Sequence, residues 1–568
     1  MRLYNYFQIT ICFVIILFQM VFPASSDPVF GKNGMIVSTS RHASEAGIKI
    51  LKKGGNAIDA AVTVGFVLAV TSSSNGNIGG GGFMVAAMAN NTVFSLDYRE
   101  KAPVAAHQDM FLDKNKDVVE GMSLYSLAAS GVPGSVDGLL KVLKDYGSGN
   151  ISRRQILEPA IYLAERGFTL SNYEAKRLNN NKELFKQDDA AKKIFIREDG
   201  ELWKKGDRLI QTDLAKTLKQ ISKNGRNGFY KGNVADLIVA EMKRGNGIIS
   251  HDDLKNYSSI YRTPITGSFH EYEILSMGPP SSGGALLVNI LNMLENYNID
   301  TLGWNSSDYI HLLTEVERRA YADRAEHFGD PDYWSVPLDE ITSKNYAASR
   351  IRDISMERAT PSAIIFASEI LNTESRETTH YSIVDKDGNA VSVTTTINLS
   401  YGGGHLVDGA GFFLNNEMDD FSSKPGVPNA FQLLGNKANA IEPGKRPLSS
   451  MTPTIVLKSK KPYLIIGSPG GSTIITTAMQ VILNVVIFGM DIKEAVSSPR
   501  FHSQWLPDVI MMEPRGLSKD VINNLKLRGH ALIPYRWGYI GEANGILINE
   551  NGFFGGGDVR GETSAIGY

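Results

Sequence analysis

A polar run that ends abruptly at a core hairpin sets the first limit on this chain. Asn372-Thr373-Glu374-Ser375-Arg376-Glu377 leads to Thr378, and the sequence turns at once into a strand. His380 to Val384 alternates, Asp385-Lys386-Asp387-Gly388 carries the Asp-Gly signal of a tight hairpin, and Ala390 to Thr396 reads as the returning strand. A threonine at such a junction has two readings. It is an ordinary strand-entry residue, since Thr favours strands; or, if the bond before it is cut, it becomes an N-terminal nucleophile. A Thr hydroxyl is inert near neutral pH without a base. A free α-amine, ordinarily of pKa about 7.7–8.0, places that base on the same residue.

The beginning of the chain is read separately. Arg2 precedes an apolar run from Ile9 to Phe22, followed by Pro23-Ala24-Ser25-Ser26-Asp27. A charged start, an apolar middle too short to span a bilayer comfortably and small residues after it describe a secretory signal, residues 1–26, cut near Ala24 to Ser26. The alternative is an uncleaved anchor formed by residues 9–22. Cys12, the only cysteine, lies in this segment. The exported chain would have no thiol, which excludes disulfides, a cysteine nucleophile and thiolate metal sites together. Lys+Arg 58 against Asp+Glu 60, with no basic stripe, leaves no case for nucleic acid or an anionic membrane surface as partner. The ten histidines show no HExxH pattern, and neither metal nor cofactor is expected.

Beyond residue 40 the spacing predicts a helix over Ala43 to Lys53 and a nearly all-apolar one over Ile58 to Val70, placed between sheets. Gly79 to Gly82 leads into a hairpin, Phe83 to Ala89 and Thr92 to Asp97. The glycines do not meet the dinucleotide spacing and precede a strand, so they serve a close backbone approach. Residues 122–376 read as helix-rich, with Pro159 to Arg166 (proline in the first turn), Asp213 to Ser222, Leu286 to Leu294 and a charged helix Ser307 to Phe328. That charge run reads as a solvated face. Strands return at Gly411 to Asn415, Thr454 to Leu457, Tyr463 to Gly467, Gly545 to Ile548 and Gly552 to Gly556, around an apolar helix Ser472 to Phe488. The alternation describes a layered α/β protein.

Several short motifs then fall in a fixed order. They are Gly54-Gly55-Asn56-Ala57, Gly79 to Phe83, Asp97-Tyr98-Arg99-Glu100, Gly131-Val132-Pro133-Gly134, Pro280-Ser281-Ser282-Gly283-Gly284, Thr378-Thr379-His380-Tyr381-Ser382, Asn415 to Phe421, Lys445 to Met451 and Gly467 to Ser472. Together they resemble the γ-glutamyltranspeptidases (glutathione hydrolases) of bacteria. The resemblance implies an αββα sandwich of the N-terminal nucleophile (Ntn) hydrolase type, cut before Thr378 into a large subunit, 27–377, and a small one, 378–568, which stay together as a heterodimer. It implies γ-glutamyl substrates, glutathione above all, with water or amino-acid and dipeptide amines as acceptors.

The same resemblance implies roles for single residues. Thr378 is the nucleophile, Thr396 bonds its hydroxyl, and the Gly470 and Gly471 amides form an oxyanion hole. Arg99 binds the substrate's α-carboxylate with Ser449 and Ser450, while Asp420, with Asn398 and Glu417, takes the α-ammonium. The loop Pro425 to Arg446 resembles a lid, but Phe431 stands where many members have Tyr, which removes a hydroxyl from reach of the nucleophile and puts lid closure in question. Thr473 stands where Arg is common. Asn398 also lies in a glycosylation motif; a glycan there would block the pocket, which favours a periplasmic or secreted protein of an organism that adds none. Two rivals remain: an acylase of glutaryl-cephalosporin-like amides, and a non-catalytic γ-glutamyl binding protein.

Overall fold

The computed structural model describes residues 26–365, 378–424, 427, 429, 433 and 435–568. The signal segment up to residue 25, Glu377 and Phe431 lie outside the described residues. Seven antiparallel strands form one sheet, in the order Ser564–Gly567, Gly34–Ser38, Thr379–Asp385, Ala390–Thr396, Gly81–Ala87, Val93–Asp97 and Ile260–Arg262. A second runs Val29–Gly31, Gly552–Gly557, Asn544–Asn549, Lys461–Ile466, Thr454–Lys458, Tyr272–Ser276 and Ile265–Phe269.

Side chains alternate across a strand, and here both faces are covered. Met35, Val37, Phe83 and Val85 of the first sheet meet Leu275, Ile455, Ile465 and Ile546 of the second. Their neighbours Ile36, Met84, Val391 and Val393 point the other way, into helices that include Ala57–Thr71. Ile274, Val456, Leu464 and Ile466 point into Gly283–Leu294, Ser307–His327 and Thr473–Val486. Helices, sheet, sheet, helices: this is the expected αββα sandwich. No helix among the described residues is long and apolar enough to cross a membrane.

Several expectations need correction. Helix Ala57–Thr71 is buried along its whole length, but it lies outside the first sheet, covered in turn by Arg153–Arg166. Its apolar composition reflects helices on its far side, and a second sheet there is not needed to explain it. Pro159 sits in the middle of Arg153–Arg166, whose start is set by a Ser152–Gln155 capping box. Gly411 to Asn415 is no strand. Gly411 has φ +78°, and the Asn415 amide donates to the carbonyls of Gly79 and Gly131, each at 2.8 Å.

The charged helix is not solvated. Glu315, Glu317, Arg318, Arg319, Asp323 and Arg324 of Ser307–His327 are all buried. Burial of so many charges is tolerable only when they are paired. Arg318 and Arg319 each donate to Glu315 at 2.8 Å, Asp323 meets Arg350 at 2.9 Å, and Glu317 accepts from the Ser503 amide at 3.0 Å.

Strands from both sides of Thr378 interleave. Three of the first sheet's seven strands and four of the second's follow it in sequence.

Candidate active site

Thr378 stands one residue before strand Thr379–Asp385 and is buried. The pairing of Thr379 with Thr395 puts Thr396, on the return strand, directly across from it. Both ends are held by one turn. The Asn75 amide donates to the Thr378 carbonyl at 2.9 Å, and the Asn77 amide donates to the Thr396 carbonyl at 2.8 Å. Asn77 Oδ1 in turn accepts from the Gly80 amide at 2.9 Å. This explains Gly79 to Gly82: a Cβ on Gly80 would lie 2.1 Å from the Thr396 carbonyl, and one on Gly79 2.1 Å from that of Phe413. Neither asparagine was singled out in the sequence, although Asn-Gly-Asn between an apolar helix and a glycine run is itself a turn signal.

Thr378 and Thr396 line one cavity with Arg99, Arg324, Asn398, Glu417, Asp420, Ser449, Ser450 and Gly471. Of the predicted site residues that are described, only Gly470 faces elsewhere, into an adjoining space that also touches Thr378. Arg99 spans the carboxylates of Glu417 and Asp420, one on each terminal nitrogen, so the two clamps expected for a zwitterion pair with each other. Its Nε donates to the Pro447 carbonyl at 3.2 Å. Burial opposes the Arg99 charge, but Glu417, Asp420 and Glu100 outweigh it and hold its pKa above the usual value. Burial pushes the carboxyls of Glu417 and Asp420 up, against the pull of Arg99, and that of Glu100 to about 7.

Among the described residues, Asn398 Oδ1, Glu417 Oε2 and Ser450 Oγ are buried without a hydrogen-bond partner. Natural structures seldom leave such atoms unsatisfied, and three around one cavity point to a ligand with donors and acceptors of its own. Asn398 is only 1% exposed, which excludes it as a glycan acceptor in the folded protein. From the lid loop, Leu433 lines the cavity and the Asn429 amide donates to Asp420 at 3.2 Å.

The buried charged helix supplies groups the sequence reading overlooked. Arg324 lines the cavity and donates from Nε to Ser282 Oγ at 3.0 Å; burial pushes its pKa down to about 10. The Ser282 amide and hydroxyl both donate to the Ser449 carbonyl at 2.9 Å, which fixes the turn carrying Ser449 and Ser450. Gly283 and Gly284 are required at this junction, because a Cβ would meet Thr452 Oγ1 at 2.2 Å or the Met277 carbonyl at 2.4 Å. From the same helix, the Tyr321 hydroxyl donates to the Ser472 carbonyl, below the glycine pair.

Gly470 and Gly471 have φ +139° and +56°, and the 14-residue helix Thr473–Val486 starts immediately after them. Thr473 keeps the turn closed by donating to the Gly470 carbonyl at 2.9 Å, a local task that needs no arginine. A methyl at residue 470 would be strained by its φ and would strike Thr473 Oγ1 at 2.4 Å. Gly470→Ala is therefore expected to shift this turn locally and lower turnover by about 10²–10³-fold, the usual loss for one misplaced oxyanion donor. Steady-state rates on a γ-glutamyl amide check this; a rate within a factor of about three of the parent would remove Gly470 from the site.

Two histidine groups stand apart from this chemistry. His380 points between the sheets, bonded to Thr394 at 2.9 Å and Ser382 at 3.1 Å, and burial pushes its pKa down to about 3. His311, Glu315 and His530 lie close enough together to hold a metal ion. Their hydrogen bonds are nevertheless complete. His311 Nε2 donates to the Ser355 carbonyl at 2.7 Å, so its Nδ1 accepts from His530 Nε2, also at 2.7 Å. Arg318 donates to His530 at 3.4 Å, and its guanidinium opposes any added cation.

The sequence model of the Gamma-glutamyltranspeptidase family matches residues 43–568. The Glutathione hydrolase proenzyme of Escherichia coli (strain K12) is 45% identical over 535 residues, covering 94% of this chain and 91% of that protein. The solved structure of Helicobacter pylori gamma-glutamyltranspeptidase is 44% identical, with a TM-score of 0.58, covering 60% of this chain and 96% of that one. A cephalosporin acylase from Bacillus halodurans has a TM-score of 0.84 over 97% of this chain and 98% of its own, but at 24% identity it bears on the fold alone. With the match spanning nearly the whole sequence, this chain belongs to the gamma-glutamyltranspeptidase family.

Proposed function

We propose that the protein cuts itself before Thr378 and then cleaves γ-glutamyl amides, glutathione above all, through an acyl-enzyme on Thr378. The observation that carries this reading is the shared cavity in which Thr378 and Thr396 stand beside one guanidinium bridging two carboxylates. In the precursor, Thr378 Oγ1 attacks the carbonyl carbon of residue 377. The peptide C–N bond breaks, the hydroxyl proton passes to the Thr378 nitrogen, and water hydrolyses the resulting ester to leave a free amine. That amine then takes the proton of the same hydroxyl as Oγ1 attacks the γ-glutamyl carbonyl. The Gly470 and Gly471 amides, at the positive end of the helix, face the developing oxyanion. The leaving amine departs with the proton, and water or an amino-acid or dipeptide amine resolves the ester.

The headgroup fits by exchange. A bound α-carboxylate takes Arg99 with Ser449 and Ser450, and the α-ammonium takes Asp420, Glu417 and Asn398. The two internal ion pairs of Arg99 are thereby exchanged for pairs to the substrate; Asn398 Oδ1 and Glu417 Oε2 accept from the ammonium, and the Ser450 hydroxyl donates to the carboxylate. We place the mature pair, 27–377 and 378–568, in the periplasm or outside the cell, consistent with a leader over residues 1–26. Their interleaved strands support a heterodimer that survives the cut.

A glutaryl amide lacks the α-amine and separates this reading from the acylase one. Glutathione is expected to be cleaved about 10²-fold faster in kcat/KM, the scale of a buried charge pair. The pH profiles differ as well. Asp420 gains its proton at a higher pH than an ordinary carboxyl, so its grip on the ammonium fails early as pH falls, while the Thr378 amine is also being protonated. Activity on glutathione thus carries both losses on the acid limb; the glutaryl amide carries only the second. Equal kcat/KM for the two amides would hand the function to the acylase alternative.

A further inference from the structure

Among the described residues, Thr378 is the one that borders both the cavity holding Arg99 and a second space, edged by Asn75, Tyr173, Gly470, Tyr539 and Glu542. That space continues past Tyr173 and Tyr539 into an open cleft of about 1120 Å³. The glycine pair divides in the same way, with Gly471 on the Arg99 side and Gly470 on the cleft side. A carbonyl held between the two amides therefore has its acyl chain in the Arg99 cavity and its nitrogen toward the cleft.

The cleft has its own chemistry. Lys176, Arg177, Arg515 and Arg560 line it and the space beside Thr378, against the carboxylates of Glu513 and Glu542. Arg560 is consumed internally, by Glu513 and Asp558. Lys176 and Arg515 are both exposed, one on helix Asn172–Asn180 and the other in a turn at φ +63°. Tyr125 and Tyr539, 56% and 53% exposed, are large rings left open on the same walls. Open aromatic faces ringed by cations favour an extended, anionic partner, and the volume far exceeds that of a single amino acid.

We infer that this cleft receives the amine side of the reaction, and that beyond amino acids and dipeptides it takes longer peptides ending in a free carboxylate, both as leaving groups and as acceptors. In the transfer step the peptide's neutral amine attacks the Thr378 ester, a C–N bond forms as the C–O bond breaks, and the amine's proton returns to Oγ1. The inference rests on the acyl-enzyme reading above.

The test uses the self-cleaved protein with a γ-glutamyl anilide as donor, whose leaving group is uncharged. Tetraglycine and tetraglycinamide serve as acceptors, differing only in the terminal charge. The parent is expected to show a KM for tetraglycine about fivefold below that for the amide, the scale of two partly solvated charge contacts. The double substitution Lys176→Glu and Arg515→Asp should abolish or reverse that preference while anilide hydrolysis is unchanged; Asp suits the left-handed backbone at 515. Equal KM values in the parent, or a preference that survives the double substitution, overturn the cleft assignment alone. A protein that cuts itself but hydrolyses no anilide overturns the γ-glutamyl reading, and this inference with it.

Discussion

Thr378→Ala yields one polypeptide, with the mass of the uncut chain, and no measurable turnover. The whole chain has a mass of 62.1 kDa, and intact-mass measurement distinguishes it at once from two fragments. The substitution removes the only oxygen proposed to attack residue 377, and with it both the scission and the later acyl-enzyme. Loss of a nucleophile typically costs about 10⁶-fold in turnover. Thr378→Ser should keep both reactions at reduced rates, because the hydroxyl survives and only the methyl that restricts its rotamer is lost. Two fragments from the alanine variant, with a new N-terminus at 378, would assign the cut to another group.

Arg99→Met is the second large effect. Arg99 is 1% exposed, and its two terminal nitrogens hold Glu417 and Asp420 while Glu100 lies 3.7 Å away. Removing the guanidinium leaves three buried carboxyls, with Arg324 acting on Asp420, and breaking such a cluster costs about 3–5 kcal/mol of stability unless the acids protonate. Substrate binding loses its carboxylate partner as well, so kcat/KM for glutathione should fall by about 10²–10³-fold. Arg99→Lys should recover only part of either loss, because a single ammonium cannot reach two carboxylates and the Pro447 carbonyl at fixed angles. Urea midpoints and steady-state kinetics on the two variants check both halves. A lysine variant equal to the parent would show that charge, and not the planar fork, is what the site uses.

Much of this site was legible because its residues sit in short, ordered motifs. Thr378 marks a change from polar run to strand, and the hairpin's Asp-Gly turn places Thr396 opposite it. Gly470 and Gly471 directly precede an apolar helix. What the sequence concealed was anything whose partner lies far along the chain. Arg324 looked solvated because a charge run pairs with water by default, and only the packing of its helix against the second sheet shows Glu315, Arg318 and Arg319 satisfying one another. Asn75 and Asn77 reach strand ends some three hundred residues later. Helix Ala57–Thr71 was misplaced for a related reason: hydrophobicity on all sides shows that a helix is covered, not by what.

The interleaving of the two sheets has a consequence for how the protein must be made. A fragment ending at 377 would lack the neighbours of Gly34–Ser38 on both sides, and a fragment starting at 378 would lack the strand Gly81–Ala87 that flanks Ala390–Thr396. Neither half is expected to fold alone, so the peptide bond that the proposed scission breaks would first serve as the tether that brings them into register. Separately synthesised halves should aggregate unless refolded together, and denaturing the matured pair should be far harder to reverse than denaturing its precursor.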